Sequence, residues 1–247
     1  MKIAVINFSG NVGKTTVAKH LLAPRIPGCQ FVSVESINAD DGEPLTIRGR
    51  QFAQLQEYLQ TVSDLVVDVG ASNVEDLLAL MQRYRGSHAD FDCFVVPTVP
   101  ARKQQQDTAA TLTELARLGV PGTRMRLVFN QVEDDTLIER VFETLLGYCR
   151  VSGVVQPRTE ACMRQNEVYP RIRGIGQSLI ELAADSTDYK AKIATAGSAS
   201  EKLALAQRLA TQRLARGVVP ELDACFEALD LQSCLVHKAD GARLRAA

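Results

Sequence analysis

The stretch Ser9-Gly10-Asn11-Val12-Gly13-Lys14-Thr15-Thr16 carries the most specific chemistry in this chain. Glycines let a backbone curl until several N–H groups point inward, and their missing Cβ leaves room for a ligand. A helix that starts at Lys14 adds free N–H groups and the positive end of its dipole, which together attract an anion. Lys14 can then reach the β- and γ-oxygens of a nucleotide, and the Thr15 hydroxyl can hold Mg²⁺. The plain alternative is a fortuitous Gly-Lys-Thr in a turn. A strand-like run directly before the loop and a helical run directly after it weigh against that alternative.

Such a loop needs a strand to launch it and a helix to receive it. Short apolar runs at Lys2–Asn7, Gln30–Glu35, Leu65–Asp68, Phe91–Pro97, Met125–Asn130 and Val151–Gln156 are the expected strands. Helical periodicity falls between them, at Lys14–Ala23, Thr46–Gln60, Val74–Tyr84, Gln104–Leu118 and Asp135–Cys149. Continuous apolar strands alternating with helices predict an α/β fold with a mostly parallel sheet covered on both faces. Beyond about residue 185 the pattern changes. A small, polar stretch over 193–200 precedes an amphipathic run, Glu201–Ala215. Leu203, Ala206, Leu209, Ala210 and Leu214 mark its apolar side, and Lys202, Arg208, Arg213 and Arg216 its basic one. A second short helix is expected after Pro220. The expected organisation is therefore a nucleotide-binding domain over 1–185 with a helical extension over 186–247, frayed at its end.

The 247 residues are 46% apolar and 23% charged, with 28 Lys+Arg against 29 Asp+Glu, a net charge of −1. That balance disfavours disorder and a strongly basic nucleic-acid binder. The six cysteines lack zinc-knuckle spacing and read as reduced, buried thiols of a cytoplasmic protein. The first residues do not form a secretory leader, and no run approaches 18 consecutive apolar residues, so no membrane span is expected. The tail over 237–245 lacks the large apolar residues of a membrane-surface helix.

The loop departs from the ordinary Walker A pattern, because Phe8 stands where a glycine is usual. It resembles the deviant Walker A loop of the ParA/MinD-type ATPases, Lys-Gly-Gly-Val-Gly-Lys-Thr-Thr. Gly10, Val12, Gly13, Lys14, Thr15 and Thr16 match, while Ser9 and Asn11 replace a lysine and a glycine. Further matches come in family order: Asp64–Asp68, similar to a Walker B strand; Val69-Gly70-Ala71-Ser72, similar to switch II; Val95–Thr98; and Leu127–Asn130. Gly153-Val154-Val155-Gln156-Pro157 resembles the family's Gly-Val-Ile-Pro segment, and Asn166 and Pro170 resemble residues downstream of that segment. The likeness covers roughly residues 1–184. Stretches such as Asn7–Thr16, Asp68–Asn73, Val96–Pro100 and Lys103-Gln104-Gln105 are closer still to the StbB group of plasmid-stability proteins, a divergent ParA-like branch.

The resemblance implies a P-loop ATPase that uses ATP/ADP and Mg²⁺. It implies that Ser9 to Thr16 bind nucleotide, that Asn130 and Pro157 lie at the base, and that Thr15 and Asp68 hold the metal. Lys14 and Asp68 would be catalytic. It also implies a DNA-binding plasmid-stability partner, a homodimer closed by ATP, and a role in partition, plasmid stability or conjugative transfer. In the family, the loop's first lysine reaches the partner's phosphates; Ser9 cannot. Arg25, Arg48, Arg50 and Lys103 are alternative cations among which the sequence does not choose. Nor does it choose whether DNA is touched directly. The family's water-positioning Asp-Pro-Gln has only a poor counterpart in Val34–Asp41. Slow basal hydrolysis is therefore expected. The competing readings are a nucleotide-binding regulator with negligible turnover and, less favoured, a small-molecule kinase or ligase on the same scaffold.

Overall fold

Each strand presents alternate residues to opposite faces, so a sheet covered on both sides needs apolar residues at every position. In the computed structural model, which describes residues 1–34, 49–173 and 176–235, β1 (Lys2–Val5) sends Ala4 to one face and Ile3 and Val5 to the other. β2 (Gln30–Ser33), β3 (Leu65–Asp68), β4 (Cys93–Thr98), β5 (Met125–Val132) and β6 (Cys162–Arg164) complete a six-stranded sheet among the described residues. Its order is β2-β3-β1-β4-β5-β6, and every pairing is parallel.

The helices take up the two faces. α1 (Lys14–Thr16) runs into a π-helical stretch, Val17–Leu22. α2 (Gly49–Thr61), α3 (Val74–Arg83), α4 (Arg102–Arg117), α5 (Ile138–Val141) and α6 (Glu143–Ser152) come next in chain order. Then come α7 (Val168–Arg171), α8 (Leu179–Ala184), α9 (Tyr189–Thr195) and α10 (Ala199–Leu229). On one face Phe52, Leu59, Leu77, Leu112 and Leu145 cover Ala4, Val67, Phe94 and Phe129. On the other, Val17, Leu21, Val168, Ala215, Val218 and Leu222 cover Ile3, Val5, Val66, Val95 and Val128. The result is an α/β fold with a parallel sheet flanked by helices and a helical extension laid against one face.

Two elements differ from the sequence expectation. Val151–Gln156 is not a strand: α6 runs to Ser152 and ends on Gly153 in the left-handed region, φ 64°. The sixth strand is instead Cys162–Arg164, three residues too short and too polar to signal itself by pattern. Pro220 does not separate two helices, because α10 passes through it for 31 residues. A proline inside a helix costs about 3 kcal/mol. Ala215 and Val218 before it and Leu222, Cys225 and Leu229 after it are all buried on the same sheet face. A break would tear that stripe apart. The buried side of α10 is also not the one expected: it begins at Thr211 and Gln212, while Leu203 stays exposed. Among the described residues no helix is long and apolar enough to cross a membrane. Glu35–Arg48 and the tail over 237–245 lie outside the described residues.

Candidate nucleotide site

Parallel register brings the sequence-predicted residues together. Val5 pairs with Asp68 on one side and Val95 on the other. The loop leaving β1 therefore begins beside the carboxylate that ends β3. This is the carboxyl edge of the sheet, where open α/β folds bind ligands.

The loop is held by hydrogen bonds from its neighbours. Asn7, fully buried, donates through Nδ2 to Pro97 O and to Thr108 Oγ1, both at 2.8 Å. Its Oδ1 accepts from Ser9 N at 2.8 Å and from Thr111 Oγ1 at 3.4 Å. One side chain thus ties the loop's first half to β4 and α4. The second half needs left-handed backbone at Asn11, φ 60°, and Gly13, φ 82°. Asparagine is among the few non-glycine residues that adopt this region readily, which explains how Asn11 substitutes for a glycine. Gly13 is more demanding: an added Cβ would meet the Asn130 amide and displace it from Val12 O.

β5 clamps the loop from the far side. A register irregularity between β5 and β6 falls at Phe129–Val132, and Gln131 sits at φ 56°. Such a bulge re-aims side chains that would otherwise alternate. Both neighbours consequently reach the loop: Asn130 Nδ2 donates to Val12 O at 2.9 Å, and Gln131 Nε2 to Asn11 O at 3.1 Å.

A cavity of about 520 Å³ lies over the loop, lined by Gly10, Asn11, Gly13, Lys14, Thr15 and Thr16 together with Asp68, Gly70, Ala71, Gln131 and Arg173. Thr15 Oγ1 donates to Asp68 Oδ2 at 2.6 Å. Lys14 Nζ donates to Ser9 O at 2.7 Å and to Asn7 O at 3.2 Å, so its buried ammonium rests on the loop's own carbonyls. A second cavity of about 570 Å³ shares Thr16, Gln131 and Arg173 with the first and continues to Asn130, Glu133, Asp134, Gln165, Asn166 and Tyr169. Its wall is built by Arg164, whose Nη1 donates to Glu133 O at 2.7 Å and Thr136 O at 3.3 Å. One compartment is lined by the glycine-curled loop, and the other mainly by β5 and the segment from Arg164 to Arg173.

The structure gathers Gly10, Asn11, Gly13, Lys14, Thr15, Thr16, Asp68 and Asn130 around this pair of cavities. Ser9 and Val12 take part through backbone carbonyls, and Ser9 itself is only 6% exposed. Pro157 lines a different cavity, with Leu146, Cys149 and Val155. The segment that does reach the site begins at the end of β6, at Arg164–Glu167. Arg25 is committed elsewhere: it donates to Asp223 Oδ1 and His20 O, both at 2.8 Å, and to Val219 O, tying the helix after the loop to α10. Lys103 lines neither cavity, and Arg48 lies outside the described residues. Sequence reasoning missed Gln131, Gln165 and Arg173. Gln131 directly follows the Asn130 that it identified; Arg173 has no local signal.

No protein-family model matches the chain, and no curated protein matches it significantly. Solved structures do. The MinD cell division protein of Aquifex aeolicus is similar with a TM-score of 0.52 and 11% identity, over 87% of this chain and 96% of that one. The MinC:MinD complex from the same organism gives 0.52 and 10%, over 87% and 95%. At that identity the likeness establishes a shared fold.

Proposed function

We propose that this protein is a nucleotide-operated switch of the ParA/MinD type that binds Mg²⁺-ATP and Mg²⁺-ADP at its first loop and hydrolyses ATP slowly. The observation that carries the reading is the hydrogen bond between Thr15 Oγ1 and Asp68 Oδ2 at the rim of a glycine-curled loop. A hydroxyl and a carboxylate side by side fit a small hard cation that takes few protein oxygens and completes its shell with phosphate and water. Thr15 and Asp68 are the residues that would hold it. There the ion would supply positive charge against the negative charge that develops during phosphoryl transfer.

The chain's own groups do the rest. Loop N–H groups and the helix that starts at Lys14 receive the phosphates. Lys14, held at the loop by Asn7 O and Ser9 O, supplies its charge to the phosphate oxygens. Asn130 and Gln131 hold the loop against β5.

The resemblance to the StbB group supports a role in plasmid maintenance or transfer beside a DNA-binding partner, with ATP closing a homodimer. One observation favours a regulator with negligible turnover as the second reading: position 9 offers a buried serine where the family's cross-dimer lysine stands. A turnover assay with labelled ATP, alone and with DNA and a DNA-binding plasmid-stability protein, separates the two. Slow basal release of phosphate that rises with partner and DNA supports the switch. Saturable binding with no phosphate release under any condition supports the regulator.

A further inference from the structure

Arg173 follows Ile172, which is buried with Val168 against the sheet face that α10 covers. The backbone that carries Arg173 is thus anchored, while its side chain is exposed at the site. Arg173 lines both cavities, and the only other residues common to the two are Thr16 and Gln131. Those three residues mark the waist between the loop compartment and the second compartment. The opposite end of the loop compartment is formed by Asp68, Gly70 and Ala71.

Among the described residues the other arginine that lines these cavities is Arg164, which holds the carbonyls of Glu133 and Thr136. Arg173 makes no hydrogen bond or ion pair among the described residues. A nucleotide spanning the two cavities puts its α-phosphate at the waist, because that group joins sugar to polyphosphate. A guanidinium there can donate two parallel N–H bonds to non-bridging oxygens of one phosphate.

We infer that Arg173 is a binding residue that clamps the α-phosphate of the nucleotide in cis, rather than a replacement for the γ-phosphate cation missing at Ser9. The inference rests on reading this site as a nucleotide site. It separates two roles of positive charge: Arg173 grips ATP and ADP alike, and Lys14 serves the β/γ end.

The test is calorimetric titration of the full chain, wild type, Arg173→Ala and Arg173→Lys, with adenosine, ADP and ATP in the presence of Mg²⁺. A charge-assisted pair lost from a binding site corresponds to roughly a ten- to hundredfold change in affinity. Arg173→Ala should weaken ADP and ATP by the same factor in that range and leave adenosine unchanged. Arg173→Lys should recover part of the loss, since a point charge remains but the fork does not. The thermal midpoint of the free protein should stay the same. Unchanged ADP affinity in Arg173→Ala overturns the inference, as does a loss confined to ATP or one shared equally by adenosine. Absence of any ADP or ATP binding to the wild type overturns instead the nucleotide reading on which the inference stands.

Discussion

Asp68 and Thr15 meet because β1 and β3 pair in register, yet the two residues do different work from the loop backbone that surrounds them. In the proposed function, loop N–H groups and Lys14 contact phosphate directly, whereas the carboxylate serves a metal and its water. Asp68→Ala should therefore leave ADP affinity within a few-fold of wild type while turnover falls by roughly a hundredfold or more, the consequence of removing several kcal/mol of metal-assisted charge stabilisation. Calorimetry beside a phosphate-release assay checks this. Wild-type turnover in the variant would make Asp68 a strand-end cap. At this scale much was legible in the sequence. Gly13, Lys14, Thr15 and Asp68 belong to patterns whose spacing is dictated by the backbone geometry they serve. Pro157 and Arg173 mark where legibility ended. Gly153–Pro157 has the apolar residues and punctuation of a family strand, but the chain turns there and reaches the site only at the end of β6. No spacing rule ties an arginine on a turn behind α7 to a loop formed by residues far earlier in the chain.

α10 shows how packing overrides local preference. Judged by propensity, Pro220 ends a helix; judged by burial, the stripe from Thr211 to Leu229 that covers Val5, Val95 and Val128 runs on past Pro220, which is itself exposed. Helices in folded proteins take most of their stability from such a face rather than from propensity. Leu222 is 1% exposed in the middle of that stripe. Leu222→Ala should destabilise the protein by about 2–5 kcal/mol in urea unfolding, the range for deleting a buried leucine side chain. A change below about 0.5 kcal/mol, the range of surface substitutions, would show that α10 does not hold the sheet face. The apolar run from Leu203 to Leu214 predicted the helix correctly but not its buried side, because periodicity fixes a stripe only relative to itself. Which stripe faces inward is decided by where α8, the π-helical stretch and β5 stand, and no single-element pattern contains that information. The strands, with their continuous apolar runs, were legible except for β6, whose three residues leave too little pattern to detect.

Over the whole molecule, the two helical layers and the parallel sheet converge on one edge. The loop is tied to β4 and α4 through Asn7, to β5 through Asn130 and Gln131, and to β3 through Thr15 and Asp68. A ligand that binds there bridges elements from both cores, so its occupancy is felt as global stability by mass action, about 2.7 kcal/mol at a hundred times Kd. Whether the first loop is a nucleotide site is decided by titrating Mg²⁺-ATP into the wild type and into Lys14→Ala, with a thermal melt confirming that both are folded. Saturable one-to-one binding to the wild type and none detectable to the variant is the expected result, because Lys14 is the only charged side chain that the loop offers to the β- and γ-phosphates. An affinity unchanged in a folded Lys14→Ala protein would contradict the assignment of this loop to nucleotide.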